Sequence, residues 1–160
     1  MLLLSDIIES YFLARKNSVK SPDQVEFELH WEGNCVKLCD AINNRTYQPT
    51  AYSFIVTDPK QREIFASDFS TRILHHYLHE RLVPMLDKRL SKHTFNNRKG
   101  MGTSACQNSV ISDMYEVSNG YTEDAWIIKL DLHGCFPHIN QDIAFRQLEA
   151  VIKEDYHGRD

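Results

Sequence analysis

The stretch that decides the architecture of this chain is AWIIKLDLHGCFPHIN, residues 125–140. Apolar, β-branched and aromatic residues dominate its first half, and they predict a core strand over residues 125–132. Asp131 stands at the end of that strand, where a buried carboxylate is stable only with partners. Those partners are either the backbone groups of a turn or helix cap, or a divalent metal such as magnesium, which prefers carboxylate oxygens.

Two helical segments are predicted near the start of the chain. Apolar residues recur at helical spacing from Leu3 to Phe12, which indicates an amphipathic helix that packs against a core. Ser21 followed by Pro22 predicts the start of a second segment, with Ser21 as its cap and Pro22 in its first turn. The helical pattern continues to about Arg45, and the tripeptide Tyr47-Gln48-Pro49 ends it.

A β-hairpin is predicted over about residues 51–66. Residues 51–57 and 62–66 have the composition of strands, and the segment between them, Asp58-Pro59-Lys60-Gln61, has turn chemistry. The hairpin would therefore carry basic residues at its tip.

Three further helices follow from caps and apolar stripes. The first begins after Ser67 or Asp68 and carries an apolar stripe to Val83, until Pro84 kinks or ends it. Residues 93–103 are polar and basic and are predicted to form a loop. A capping box of Ser104 and Gln107 predicts the start of a helix that runs to about Val117. Asn119-Gly120 predicts a turn, and Asn140 is the predicted cap of a last helix. This order of elements predicts a mixed α+β chain.

The bulk composition fits a globular protein with one sizeable core, since 42% of the 160 residues are hydrophobic. No stretch approaches the roughly 20 apolar residues that span a bilayer, and the first helix is too short and too quickly acidic for a signal peptide. We therefore predict a cytoplasmic protein without a membrane partner. The four cysteines form no CxxC pair and are predicted to be reduced thiols in or near the core.

Charge is distributed unevenly along the chain. The net charge is −4, yet residues 60–103 carry 9 basic and 4 acidic side chains. Because its own net charge is positive, that segment can attract a polyanion although the chain as a whole is negatively charged. The other interpretation of the same segment is a solvated helix with mixed charges.

The hexapeptide Asp131-Leu132-His133-Gly134-Cys135-Phe136 resembles the first catalytic motif of reverse transcriptases, in which an apolar strand ends in Asp and an aromatic follows five residues later. Three further blocks, over residues 58–64, 69–86 and 98–103, resemble the fingertip hairpin, the long helix and the glycine-containing loop of that family, in the same order. The resemblance covers nearly the whole chain and points to bacterial reverse transcriptases related to group II introns, most closely those of diversity-generating retroelements. It implies the fingers of a right-hand polymerase over residues 1–120 and the start of its palm over 121–160.

The resemblance also implies a role for each residue of the motif. Asp131 would ligate two Mg²⁺ ions, and the backbone carbonyl of Leu132 would help to hold the nucleotide-bound one. Backbone amides near Gly134 and Cys135 would meet the triphosphate of the incoming dNTP. Phe136 would lie beneath the sugar and exclude a 2′-hydroxyl; the alternative is an ordinary core aromatic.

Basic residues elsewhere would contact phosphates. Lys60 and Arg62 near the hairpin tip are predicted to grip the triphosphate, although spacing alone favours a pair of solvated charges. The loop residues Arg98, Lys99 and Gly100 are predicted to contact the backbone of the RNA template or DNA primer.

The second pair of carboxylates that this family carries in a Tyr-x-Asp-Asp-like hairpin has no counterpart here. We therefore expect an amino-terminal fragment of an RNA-directed DNA polymerase that is inactive alone and self-associates through its exposed palm strand. Two alternatives stay open, a non-catalytic nucleic-acid-binding module that uses residues 60–103 and a small interaction domain without a nucleic-acid role.

Overall fold

The described residues form helices and one small antiparallel sheet. The computed structural model describes residues 1–16 and 20–156. Its elements are α1 (Leu4–Arg15), α2 (Pro22–Leu29), α3 (Trp31–Asn43), β1 (Ala51–Val56), β2 (Arg62–Ser67), α4 (Phe69–Asp87), α5 (Thr103–Val117), a 3₁₀ turn (Phe136–His138) and α6 (Gln141–Asp155). The predicted α+β class is confirmed. No helix within the described ranges is long and apolar enough to cross a membrane.

Two compact units divide the chain, one within residues 1–83 and one over residues 84–156. The first holds α1 to β2 and most of α4, and the second holds α5, the 3₁₀ turn and α6. These units are defined by packing, whereas the predicted fingers and palm are defined by function. The predicted boundary at residue 120 therefore stays a prediction.

Aromatic side chains form the centre of the first unit. The ring of Tyr11 stacks on Trp31 with centroids 5.2 Å apart and meets Phe69 edge-on at 6.1 Å. Such pairs add about 1 kcal/mol each to the apolar area that they bury. The other members of this core are Leu2, Ile7, Ala14, Cys35, Leu38, Cys39 and Ile73. Cys35 and Cys39 are thus core thiols, as predicted, whereas Cys135 is exposed, so the prediction of a thiol in or near the core is wrong for that residue. Burial raises the pKa of Cys35 to about 11.

The segment predicted as one helix from Pro22 onward is two helices. His30 separates α2 from α3 with φ −135° and ψ 41°, a conformation outside the helical region. Neither Gly nor Pro marks this break, which is why the sequence pattern did not reveal it. Pro22 occupies the first turn of α2 as predicted, but the Ser21 hydroxyl makes no cap and instead accepts a 2.8 Å hydrogen bond from the Arg72 guanidinium.

The hairpin is confirmed, and its base is fixed to α4. Strands β1 and β2 pair antiparallel from Ala51 opposite Ser67 to Val56 opposite Arg62. The Tyr47 hydroxyl lies 2.8 Å from Oγ1 of Thr71 in the first turn of α4, and Asp68 N–H donates to the Thr50 carbonyl at 3.2 Å. These contacts fix the base of the hairpin to the start of α4.

Two carboxylates satisfy the first N–H groups of α4. Asp68 Oδ1 accepts from Thr71 N at 2.7 Å, which confirms Asp68 as the cap. Asp23 Oδ2 accepts from Phe69 N, also at 2.7 Å. The helix continues past Pro84 to Asp87, so the prediction that it could end at Pro84 is wrong by one turn.

Most local signals in the second unit are confirmed. Asn119 and Gly120 form the predicted turn with φ of 48° and 70°, and the Asn140 side chain accepts from Ile143 N at 3.0 Å to cap α6. The capping box of Ser104 and Gln107 is wrong. Gly102 precedes the first turn of α5, so Ser104 already lies within the helix.

The predicted strand over residues 125–132 does not form. Residues 124–132 have no helical, turn or ladder assignment, and the only sheet in the described residues is the β1–β2 hairpin. A strand is stabilised by hydrogen bonds to a neighbouring strand, and apolar composition cannot supply that neighbour.

Candidate functional site

Asp131 lies in an exposed segment and not at the end of a buried strand. The side chains around it face solvent, with Leu132 77% and Phe136 84% exposed. Within residues 1–16 and 20–156, no side chain forms an ion pair or a hydrogen bond with the Asp131 carboxylate. The expectation of a buried carboxylate is therefore wrong for this chain, and the group is free to meet a ligand.

The residues after Asp131 form a compact turn that depends on Gly134. Its φ of +60° is a left-handed conformation, and a Cβ at this position would meet Nδ1 of His138 at 3.0 Å. Nδ1 of His138 lies 2.7 Å from the Gly134 carbonyl oxygen, and His138 N donates to the Cys135 carbonyl at 3.2 Å. His138 therefore closes the turn, a role that the sequence analysis missed because the contact depends on the 3₁₀ geometry.

Two backbone donors remain available in this turn. The N–H groups of Gly134 and Cys135 donate to no acceptor within the described part of the chain. Phe136 projects from the same turn with most of its ring in solvent. A carboxylate, two free N–H groups and an exposed aromatic ring thus follow one another over residues 131–136.

The hairpin tip presents two cations. Arg62 is the first residue of β2, and Lys60 lies two residues earlier in the connection between the strands. Both side chains are exposed, and neither forms an ion pair with a described residue. They remain able to bind an external phosphate.

Many of the other cations in residues 60–103 are neutralised within the chain. Four of the nine basic side chains form ion pairs with carboxylates of the same chain. The pairs are Arg72 with Asp23, Arg81 with Asp6, Arg89 with both Glu154 and Asp155, and Arg98 with Asp87. The five that form no ion pair with a described residue are Lys60, Arg62, Lys88, Lys92 and Lys99. The segment is therefore less basic toward an external polyanion than its composition indicates.

Arg98 is the most strongly engaged residue of the predicted template contact. Its Nε lies 3.2 Å from Asp87 Oδ1, and its Nη1 donates to the carbonyls of Ser91 and Thr94 at 3.0 and 3.1 Å. These bonds hold the loop that follows α4. Lys99 and Gly100 are exposed, and contact of this loop with template or primer stays a prediction.

The predicted site residues fall into both units. Lys60 and Arg62 belong to the unit of residues 1–83, whereas Arg98–Gly100 and Asp131–Phe136 belong to that of residues 84–156. Within each of these groups the residues are neighbours in the sequence and therefore lie near one another. The assembly of the hairpin tip with Asp131 stays a prediction.

The described residues do not complete a metal site. They contain no group of three or more His, Cys, Asp or Glu side chains arranged to hold an ion. Asp131 and the carbonyl of Leu132 offer only part of the six oxygen ligands that Mg²⁺ requires.

One feature of the first unit was not anticipated from the sequence. A cavity of about 380 Å³ lies against α2 and α3, with Phe27, Asn34 and Leu38 in its wall and the carboxylates of Asp23 and Glu26 at its edge. Its lining also includes Tyr47 and, from α4, Ser70, so the cavity depends on segments far apart in sequence, which no local pattern encodes.

Comparison with known proteins gives one informative match. No family model matches the chain. The chain is similar to the COX1/OXI3 intron 1 protein of Saccharomyces cerevisiae, with 32% identity over 73 residues. The matched region is 46% of this chain and only 8% of the length of that relative. The chain is thus similar to an intron protein over less than half of its own length.

Proposed function

We propose that this chain is the amino-terminal part of an RNA-directed DNA polymerase, with fingers over residues 1–120 and the start of the palm over 121–160. The observation that carries the proposal is the order of three elements. A hairpin with a cationic tip is followed by the long helix α4 and then by the exposed segment from Asp131 to Phe136. The similarity to an intron protein supports the same class, because the sequence resemblance is to reverse transcriptases related to group II introns.

In this proposal the hairpin tip binds the triphosphate of an incoming dNTP. Arg62 donates two hydrogen bonds to phosphate oxygens, and Lys60 adds a point charge. Their exposure and their lack of carboxylate partners among the described residues support this role. The free N–H groups of Gly134 and Cys135 form a second group of phosphate donors.

Asp131 contributes a carboxylate to a magnesium site whose remaining ligands lie in another part of a longer protein. Magnesium would supply charge stabilisation at the attacking and leaving oxygens of nucleotidyl transfer. Because one carboxylate and one carbonyl cannot hold such ions, residues 1–160 alone are inactive. Phe136 selects deoxynucleotides by occupying the space that a 2′-hydroxyl needs.

The reading frame of the gene tests the proposal first. We expect it to continue into a strand–turn–strand segment with a Tyr-x-Asp-Asp-like motif. A stop codon directly after Asp160 would contradict the proposal and favour the non-catalytic module.

The role of Phe136 is tested in the longer enzyme by substitution. Phe136→Ala should raise the incorporation of ribonucleotides relative to deoxynucleotides, measured in primer extension with each nucleotide type. Phe145→Ala, a change of the same exposed side-chain type on α6, is the control and should leave the ratio unchanged. An unchanged ratio in Phe136→Ala would remove the steric role.

The alternative of a nucleic-acid-binding module has less support, because four of the nine basic residues in 60–103 are held in internal ion pairs. It predicts that residues 1–160 bind RNA in a strongly salt-dependent way. Tight, salt-dependent RNA binding by the 160-residue chain, together with a stop codon after Asp160, would favour this alternative.

A further inference from the structure

The backbone of residues 124–132 offers an unused set of hydrogen-bonding groups. Within the described chain, none of their N–H or carbonyl groups bonds to another residue. The side chains are also in solvent, with Trp126 90% and Leu130 88% exposed. An apolar segment with unpaired backbone groups is a template for pairing with another strand.

The side chains of this segment alternate as a strand requires. From residue 126 to residue 132 the even-numbered positions are all apolar and would share one face. They are Trp126, Ile128, Leu130 and Leu132. The opposite face of residues 126–132 would carry their two charges, Lys129 and Asp131. In the second unit, Trp126 and Ile128 line a cavity of about 260 Å³ with Val117 of α5, so α5 lies beside the apolar side chains.

The two charges make one self-pairing register favourable. In an antiparallel pair centred on Leu130, Lys129 of each copy lies opposite Asp131 of the other, which gives two opposite-charge pairs. Ile128 lies opposite Leu132 on the apolar face. Centring the pair on Lys129 or on Asp131 instead would place like charges opposite each other, and directly opposed like charges destabilise a strand pair. A parallel in-register pair would also align like charges.

We propose that this 160-residue chain forms a two-fold symmetric dimer in which residues 128–132 of two copies pair as antiparallel strands centred on Leu130. Both copies contribute the same segment to the contact, so the contact is complete in a dimer. No third copy can add through the edge that is already paired. The charge complementarity of Lys129 and Asp131 identifies a second copy as the occupant of this edge. The inference does not rest on the proposed function, since it uses only residues of this segment.

Sedimentation velocity over a range of concentrations tests the proposal with charge-swap variants. The wild-type chain should shift from the 18.7 kDa monomer toward a dimer as concentration rises. Lys129→Asp alone and Asp131→Lys alone should each weaken dimerisation by about tenfold or more at low salt, since each turns two attractive pairs into repulsive ones. The double variant should restore the wild-type dissociation constant to within about threefold, because both pairs are re-formed in the opposite sense. Lys92→Asp, the same charge change at another exposed site in the second unit, should have little effect.

Hydrogen exchange provides a readout that does not depend on charge. Alternate amides within residues 128–132 should become protected as the concentration rises, because every second N–H of a strand faces its partner, and those of the β1–β2 hairpin should not change. A monomer at every concentration would overturn the proposal. So would a dimer that the double variant does not restore, because the pairing would then not follow this register. A dimer that is lost in Trp126→Ser but unchanged in both single charge variants would also overturn it, and would place the partner in the cavity beside α5.

Discussion

Removal of the Asp23 carboxylate should loosen the start of α4 and with it the base of the hairpin. Asp23 lies in the first turn of α2, and its Oδ2 accepts the 2.7 Å hydrogen bond from Phe69 N. Phe69 is 1% exposed, so water cannot readily replace this acceptor in Asp23→Ala. The same carboxylate lies 3.8 Å from the guanidinium of Arg72, whose Nε is buried without a hydrogen-bond partner among the described residues.

The cost follows from these contacts. A hydrogen bond from a buried N–H to a charged acceptor contributes about 1.5–3 kcal/mol. The ion pair with Arg72 adds only about 0.5 kcal/mol, because both side chains are about one-third exposed. We therefore expect Asp23→Ala to lower the free energy of unfolding by about 2 kcal/mol. For a chain of this length that corresponds to a fall in Tm of about 4–8 °C.

The pH dependence distinguishes loss of the charged acceptor from a general packing defect. Burial of Asp23 alone would raise its pKa, but hydrogen bonds from Ser21 and from the Phe69 N–H, together with the charge of Arg72, leave the pKa below its usual value. A carboxylate with a lowered folded pKa stabilises the fold above its unfolded pKa of about 3.9, and this stabilisation is lost as the pH falls through the folded pKa. The difference between wild type and Asp23→Ala should therefore be complete at pH 6–7 and shrink below about pH 4.

Urea unfolding followed by circular dichroism at pH 7 and pH 3 measures this difference. Glu26→Ala removes an exposed carboxylate from the same helix and should cost less than about 0.5 kcal/mol. Equal stability of Asp23→Ala and wild type at pH 7 would refute the reasoning. A destabilisation that is the same at both pH values would show that the charged acceptor is not its cause.

Three further predictions concern packing, thiol chemistry and capping. Ile73→Ala, at a fully buried position, should lower the unfolding free energy by about 2–5 kcal/mol, whereas Ile111→Ala, more than half exposed, should change it little in the same urea titration. Iodoacetamide at pH 8 should modify the exposed Cys135 much faster than Cys35, because burial raises the pKa of Cys35 to about 11. Peptide mass spectrometry measures the two rates, and equal rates would contradict the burial of Cys35. Asn140→Ala should destabilise α6 by about 1 kcal/mol, seen as faster amide exchange in its first turn; unchanged exchange there would argue against the cap.

Elements with strong local signals were predictable from the sequence. Pro22 and Asn140 mark real helix starts, because each acts on backbone groups within a few residues. The hairpin was also found, since its turn lies between the two strands that pair with each other. The break at His30 carries no such signal, because the nearest Gly or Pro is Gly33, which already lies inside α3.

Some local predictions failed, such as the capping box of Ser104 and Gln107, but the failures that changed the predicted site were those that needed a distant partner. Residues 125–132 have the composition of a core strand but no pairing neighbour among the described residues, and Asp131 is consequently exposed. The composition of residues 60–103 led to too basic a predicted surface. Asp6 and Asp23, which neutralise two of its arginines, lie far away in the sequence and could not be matched to them from the sequence alone. Of the candidate site, the sequence identified the exposed residues Lys60, Arg62 and Asp131 but not the closing contact of His138.

Primer extension on an RNA template by the longer protein, comparing wild type with Asp131→Asn, tests whether the Asp131 carboxylate is needed for DNA synthesis. Asp131 is exposed and makes no ion pair or side-chain hydrogen bond within the described residues, so the substitution should leave Tm unchanged. We expect template-dependent incorporation of dNTPs by the wild type and its loss in Asp131→Asn. Undiminished synthesis by Asp131→Asn at the same Tm would contradict this expectation.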